Sequence, residues 1–438
     1  MAIWSKRGQH VDDWVIRFTV GEDYLWDRHL LPYDARGTRA HAAGLAEIGV
    51  LSPEEHTAID AALDTLDAEI AADRISIRPE DEDAHTVIEA FLTDRLGDTG
   101  KRIHTGRSRN DQVLTALRLF LRDGLQDAAR GTAALARALC ALAETHADAL
   151  MPGYTHLQRA MPSSVALWAL GYAELLAGDI DGLRAAHAAL GASPLGSAAG
   201  YGVPHLDLPR EANAARLGFD GVQIHATTAQ LSRGKLEAVA AHAFVQVGAT
   251  VNRLASDLVL FASAEFGFVR LPERFTTGSS IMPQKRNPDV LELARAHYHR
   301  LVAELHLLLT LPANLPSGYH RDLQLTKEAA MRAALLTADV LAAMNALVPE
   351  LTFDRARMRA ALSPDLFATA RALELVRAGV PFRDAYRTAA DESSAGALSV
   401  PTPEAALAAY TADGTPGRVR PDLVRAAIAE RSRWAEGG

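Results

Sequence analysis

The sequence predicts a mainly α-helical chain: a long central helix bundle with smaller, mostly helical domains before and after it. Three observations carry that expectation. From Asp111 to Leu150, apolar or small residues recur in steps of three or four, at Leu114, Leu117, Leu121, Leu125, Ala128, Thr132, Leu135, Leu139 and Leu142. That is one helix face held for about 35 residues, or ~50 Å at 1.5 Å per residue. The same spacing returns four times downstream, and the joints between the runs are rich in glycine and proline. Helices of this length are not held by propensity alone and need partners along their length, so a bundle follows.

Residues 1–104 read as a first, mixed domain. Short helical patterns run from Arg39 to Ile48 and from Pro53 to Ile70, with Ile75-Ser76-Ile77 as a brief extended piece. Residues 105–353 form the bundle. Its second run follows Pro162 (Val165, Trp168, Tyr172, Leu175, Leu183, Ala186, Leu190), and its third spans Leu236 to Phe261. The fourth passes through Val290, Leu293, His297, Leu301, Leu305 and Leu308, and the fifth runs from about Asp322 to Leu347. Gly124 and Gly131 weaken the first run without breaking it. Alanine pairs such as Ala133-Ala134 and Ala240-Ala241 let helices approach closely. The apolar face exceeds what one five-helix layer needs, which predicts association between subunits. Residues 354–438, broken by Pro364, Pro381, Pro401, Pro403 and Pro416, read as a small helical domain with pieces at Ala368–Arg377 and Asp422–Trp434.

The composition is 48% hydrophobic and 23% charged, that of a globular chain able to bury a large core. A net charge of −9 argues against a broad nucleic-acid or anionic-membrane surface, while leaving room for a local basic pocket. No run of about 18 apolar residues is present, so no membrane span is expected. The first residues, Met1 to His10, lack the apolar stretch of a secretory leader. One cysteine, Cys140 in an apolar context, excludes an intrachain disulfide and suits a reducing cytoplasm.

Four loops concentrate chemistry at helix junctions. Gly278-Ser279-Ser280-Ile281-Met282-Pro283-Gln284-Lys285-Arg286-Asn287-Pro288-Asp289 packs hydroxyls, cations and an amide between two φ-fixing prolines, a shaped loop that can surround an anion. His104 to Gln112 opens the first long helix, where free N–H groups and Ser108, Arg109 and Asn110 can hold a carboxylate. The plainer reading, that Asn110 and Asp111 cap the helix, explains two residues of nine. Pro152 to Gln158 brings Thr155 and His156 to the loop before the second helix, with His156 able to exchange protons near neutral pH. A structural hydrogen bond is the alternative role for one histidine among 16. In Gly318 to Lys327, Gln324 and Lys327 share a face if the helix starts at Asp322. Solvated charges are the alternative.

The Ser279-to-Asn287 loop resembles the signature loop of the fumarase/aspartase superfamily. The other three loops together resemble argininosuccinate lyases within it. So do Phe18 to Asp23, Trp26 to Leu30, Glu82 to Thr86, Pro194 to Gly202, Glu265 to Phe268 and Gly379 to Arg383. The likeness covers nearly the whole chain. It departs in three places. Gly196-Ser197-Ala198-Ala199 replaces the more familiar Gly-Ser-Gly-Ala. Gly21 or Asp23 stands where many members have a substrate-binding serine. Ala229-Gln230-Leu231-Ser232-Arg233-Gly234-Lys235 replaces the usual Ser-Asp-Arg-Asp pattern.

The resemblance implies that argininosuccinate is split into arginine and fumarate. It implies Ser279 as the base, Lys285 and Asn287 holding the developing charge, and His156 handling the proton at the departing guanidino nitrogen. The assignment of acid and base between Ser279 and His156 stays open. Ser108, Arg109, Asn110, Thr155, Tyr319, Gln324 and Lys327 are the implied substrate-binding positions. It further implies a cytoplasmic homotetramer whose sites draw on three subunits, with no metal, cofactor, nucleic acid or membrane involved. His297 and His299, two apart, lie on different helix faces, and Gly200-Tyr201-Gly202 falls short of a dinucleotide pattern. A lyase for another N-substituted aspartate, or a crystallin-like structural protein, is the alternative.

Overall fold

The computed structural model describes residues 12–436; the leaderless reading of Met1 to His10 lies outside them. All five long runs are helices: Arg109–Thr145, Val165–Ala189, Lys235–Ala262, Asp289–Thr310 and Leu325–Leu347. The chain divides into two compact units. One comprises Met1–Gln126, Leu183–Val245 and Leu301–Leu336; the other comprises Asp127–Gly182, Gln246–Arg300 and Thr337–Gly438.

In the first unit, helices Asp23–Glu47, Pro53–Ala71 and Ala84–Leu96 share a core of Leu45, Leu51, Ile59, Leu63, Leu66, Ile88, Leu92 and Ile103. The Pro53–Ala71 helix starts on a capping box in which Ser52 and Glu55 satisfy each other's backbone amides. Asp23–Glu47 is longer than the Arg39-to-Ile48 pattern and continues through Pro32. Ile75-Ser76-Ile77 pairs with no strand among the described residues, and Ile77 is buried against Leu31 and Ala84.

The two glycines of the first long helix have packing roles. A Cβ on Gly124 would lie 3.4 Å from that of Ala334 in the first unit. One on Gly131 would lie 3.2 Å from Leu341 in the second. The helix Leu325–Leu347 therefore runs close along both positions.

In the second unit, Trp168, Phe261, Phe266, Phe268 and Phe353 form an aromatic cluster. Asp257 accepts hydrogen bonds from Trp168 Nε1 (2.9 Å) and the Tyr172 hydroxyl (2.7 Å). The first long helix stops at Thr145, short of Leu150. The segment expected to be a plain loop before the second helix is an antiparallel hairpin, Leu150–Thr155 paired with Gln158–Ser164.

Beyond it, Ala368–Arg377 and Pro421–Glu436 appear as read, and Phe382–Ser394 adds a helix the proline breaks had hidden. Among the described residues, one helical stretch, Arg321–Glu350, has the length and hydropathy of a membrane span. Half of it is buried within the protein, and Arg332 and Asp339 interrupt its apolar run, so it reads as a bundle helix.

Candidate active site

A cavity of about 450 Å³ lies within the first unit. Ser108, Arg109, Asn110, Tyr319, Gln324 and Lys327, six of the implied site residues, line it. Ser108 to Asn110 are placed by Asp111, which is fully buried. One of its oxygens accepts from the Ser108 amide (2.9 Å); the other accepts from the amides of Gly196 and Ala198 (3.0 Å each). Asp111 thus ties two loops together, which is more than a helix cap. Ala198 has φ +50°, a left-handed conformation that the glycine of the more familiar pattern adopts more readily.

Opposite charges are interleaved around the cavity. Lys327, 4% exposed, is paired with Asp27, itself buried, and lies 3.2 Å from Asp23. Burial pulls the Lys327 pKa down, but the two carboxylates prevail and raise it, so it stays an ammonium. Burial lifts the Asp23 carboxyl to about 6, against the pull of Lys327. Arg109 is held by Glu82 (2.8 Å), Asp83 (3.1 Å) and the Thr86 hydroxyl (2.9 Å). His85 is buried against Asp34; burial opposes its charge, but Asp34, with Asp83 and Asp27, raises its pKa. Gln324 donates to the backbone oxygens of Thr19 (3.0 Å) and Val20 (3.4 Å). Such a cavity suits a ligand carrying both signs of charge.

The other five implied residues belong to the second unit and do not line this cavity. Thr155 and His156 are exposed at the hairpin tip. His156 and Leu157 form its two-residue turn, both with positive φ (+53° and +57°). Left-handed backbone at two consecutive non-glycine residues stores strain of the kind found at functional sites.

Ser279, Lys285 and Asn287 lie on the loop predicted to be shaped. Backbone hydrogen bonds between Thr277 and Asn287 (2.8 and 3.1 Å) close its base. The Asn287 amide donates to the Gly278 oxygen (3.3 Å). Ser279 Oγ accepts from the amides of Met282 (3.1 Å) and Ile281 (3.4 Å). Donors aimed at a hydroxyl oxygen favour its ionised form. Among the described residues no group of three His, Cys, Asp or Glu side chains is placed to hold a metal ion.

A model of the lyase family matches residues 11–302. The chain is 50% identical over 423 residues to the argininosuccinate lyase of Sorangium cellulosum, covering 96% of each sequence. It is 45% identical to that of Stenotrophomonas maltophilia over 97% of this chain and 98% of the relative.

The chain belongs to the argininosuccinate lyase family.

The family's fold extends to more distant structures. EDDS lyase in complex with formate superposes with a TM-score of 0.77 at 25% identity, covering 99% of this chain and 92% of that one. A fumarate lyase:delta crystallin from Brucella melitensis, at 18% identity and a TM-score of 0.72, shares the fold.

Several cavity residues were not singled out from the sequence: Asp27, Asp83, His85, Arg233 and Arg321. Asp27, Asp83 and His85 sat inside segments quoted only for their family likeness, and Arg233 inside a departure from it. A run of carboxylates near a histidine reads locally as solvated surface; burial is what distinguishes these.

Proposed function

We propose that this chain catalyses the reversible elimination of argininosuccinate to L-arginine and fumarate, as a carbon–nitrogen lyase. The observation that carries the reading is its 42–50% identity to argininosuccinate lyases over most or nearly all of its length. The mixed-charge cavity supports it, because the substrate carries carboxylates, an ammonium and a guanidinium.

The hard step is removal of a proton from the carbon next to a carboxylate. That C–H is weakly acidic, so the dianionic aci-carboxylate must be stabilised as it forms. Ser279 is the proposed base, supported by the two amides that donate to its Oγ. Lys285 and Asn287 hold the developing charge. The C–N bond then breaks, and His156, beside Thr155, delivers a proton to the departing guanidino nitrogen. Ser108, Arg109, Asn110, Tyr319, Gln324 and Lys327 bind substrate. The working form is a cytoplasmic homotetramer in which loops of different subunits complete each site.

Purified protein incubated with argininosuccinate, without added metal or cofactor, is expected to release fumarate, followed by its absorbance. Aspartate and adenylosuccinate serve as the competing substrates. Fumarate from either of these and none from argininosuccinate would overturn the reading.

A further inference from the structure

The hairpin that carries His156 is held by different means at its base and at its tip. At the base, Leu150 packs with Leu362, Leu366 and Phe367 in a buried core, and the Val165 amide donates to the Ala149 oxygen (3.0 Å). The side chains of residues 155–158 are all exposed, so none of them anchors the tip by burial. Yet His156 and Leu157 are held at φ +53° and +57°, a strained turn that persists only where its surroundings impose it.

Two residues directly below the tip supply the constraint. Tyr154 and Arg159 are partners across the strands, next to the register shift between Gly153 and Tyr154. Burial raises the pKa of the Tyr154 hydroxyl and the nearby charge of Arg159 opposes it, as expected of cross-strand neighbours. Tyr154 rests on Phe266, with ring centres 5.5 Å apart, at the edge of the aromatic cluster. Arg159 reaches the other way: its Nη1 donates to the backbone oxygen of Ala361 at 2.9 Å.

The acceptor is a fixed one. Ala361 ends the helix Arg355–Ala360, and the last carbonyls of a helix have no partner within it. A guanidinium placed there satisfies one of them and meets the negative end of the helix. The helix is itself secured. Asp354 caps its start by accepting from the Arg357 amide (3.0 Å) and is paired with Arg270 (2.7 Å), while Arg355 is paired with Asp148 (2.7 Å). In the sequence Arg159 reads as one more solvated cation; in the fold it ties the turn to a carbonyl 202 positions away.

We propose that Arg159 is a positioning residue for the elimination: by pinning the hairpin tip to the Ala361 carbonyl, it fixes where His156 presents its ring to the departing guanidino nitrogen. It acts through His156 and not on the substrate. The proposal rests on the reading of His156 as the proton donor. A reacting group misplaced by about 1 Å loses up to about 10²-fold in rate, so a single bond that sets the angle of the tip carries weight.

The test compares Arg159→Met, which keeps the aliphatic stem and removes every donor, with Arg159→Lys, which keeps a cation able to reach a carbonyl. Arg159→Met is expected to lower kcat for fumarate release from argininosuccinate about 10- to 100-fold. Its KM should stay within about twofold, because the proposed binding residues on the cavity of the first unit are untouched. Its melting temperature should stay within about 3 °C, since the lost bond is exposed. Arg159→Lys should recover kcat to within about fivefold of the wild type. Amide hydrogen exchange read by mass spectrometry needs no activity. Residues 155–159 should exchange at least about fivefold faster in Arg159→Met, with the Arg109–Thr145 helix unchanged.

A kcat for Arg159→Met within about twofold of the wild type would overturn the proposal. So would unchanged exchange at the tip, or a KM that rises as far as kcat falls, which would make Arg159 a substrate contact. A loss that Arg159→Lys does not recover, with a lowered melting temperature, would reduce Arg159 to a structural role. If His156→Asn keeps near-normal kcat, the proton-donor reading fails instead, so the two failures are told apart.

Discussion

At the scale of single residues, the chemistry depends on groups whose surroundings alter their charge. Ser279, the proposed base, has two backbone amides donating to its oxygen. Ser279→Ala is expected to lower kcat about 10²- to 10⁴-fold, the usual worth of a general base, with KM changed little. Steady-state kinetics on argininosuccinate checks this, and near-normal kcat would remove Ser279 from the role. Asp23 carries a second expectation. Its folded pKa, about 6, lies above the ordinary 3.8, so the folded chain holds an extra proton between those values. This carboxyl therefore costs stability above pH 6, and the cost is relieved as pH falls through the window. The groups facing it are Lys327, Asp27 and Arg321. Between pH 4 and 7 the wild-type melting temperature should decline more, or rise less, than that of Asp23→Asn. Parallel curves would contradict the assignment.

At the scale of elements, long helices were legible because a 3.6-residue period repeated over many turns leaves no competing reading. Lys235–Ala262 and Asp289–Thr310 begin and end within two residues of their apolar patterns. The hairpin at Leu150–Ser164 was not legible, because its turn is His156-Leu157 where Asn-Gly or Asp-Gly would announce a two-residue turn. Its strands also carry Pro152, Gly153 and Pro162, which argue locally for loop. The turn yields a prediction. Leu157 is 73% exposed and held at φ +57°, so Leu157→Gly should relieve strain without losing packing. The expected gain is about 1 kcal/mol, read as a higher urea midpoint at unchanged slope. A lower midpoint would show that the leucine is needed by a contact at the tip.

At the scale of the whole molecule, the proposed site residues divide between two units of one chain, six on the cavity of the first and five on loops of the second. The homotetramer proposal accounts for this by letting loops of neighbouring subunits complete each site. Exposed apolar side chains on the long helices, Leu175, Leu293 and Leu309 among them, give such an association a surface to bury. Inactive Ser279→Ala and inactive His156→Asn chains, denatured and refolded together, should then recover part of the activity. Some sites of a hybrid would draw both intact residues from different chains. Hybrids that form, as seen by a tag on one variant, yet stay inactive would refute the shared site.

By itself the sequence determined the helices and the chemical character of the loops. Both are local: an apolar stripe and a run of hydroxyl, ammonium and amide side chains are properties of neighbouring residues. Tertiary structure decided which of those residues meet and which charges are buried. Lys327 pairs with Asp27 across 300 positions, and Asp111 holds Gly196 and Ala198 from 85 and 87 away. No local pattern encodes such pairings. The same carboxylates that read as solvated surface in the sequence become a charged cavity wall once removed from water, because desolvation makes an ion's energy depend on the partner it finds.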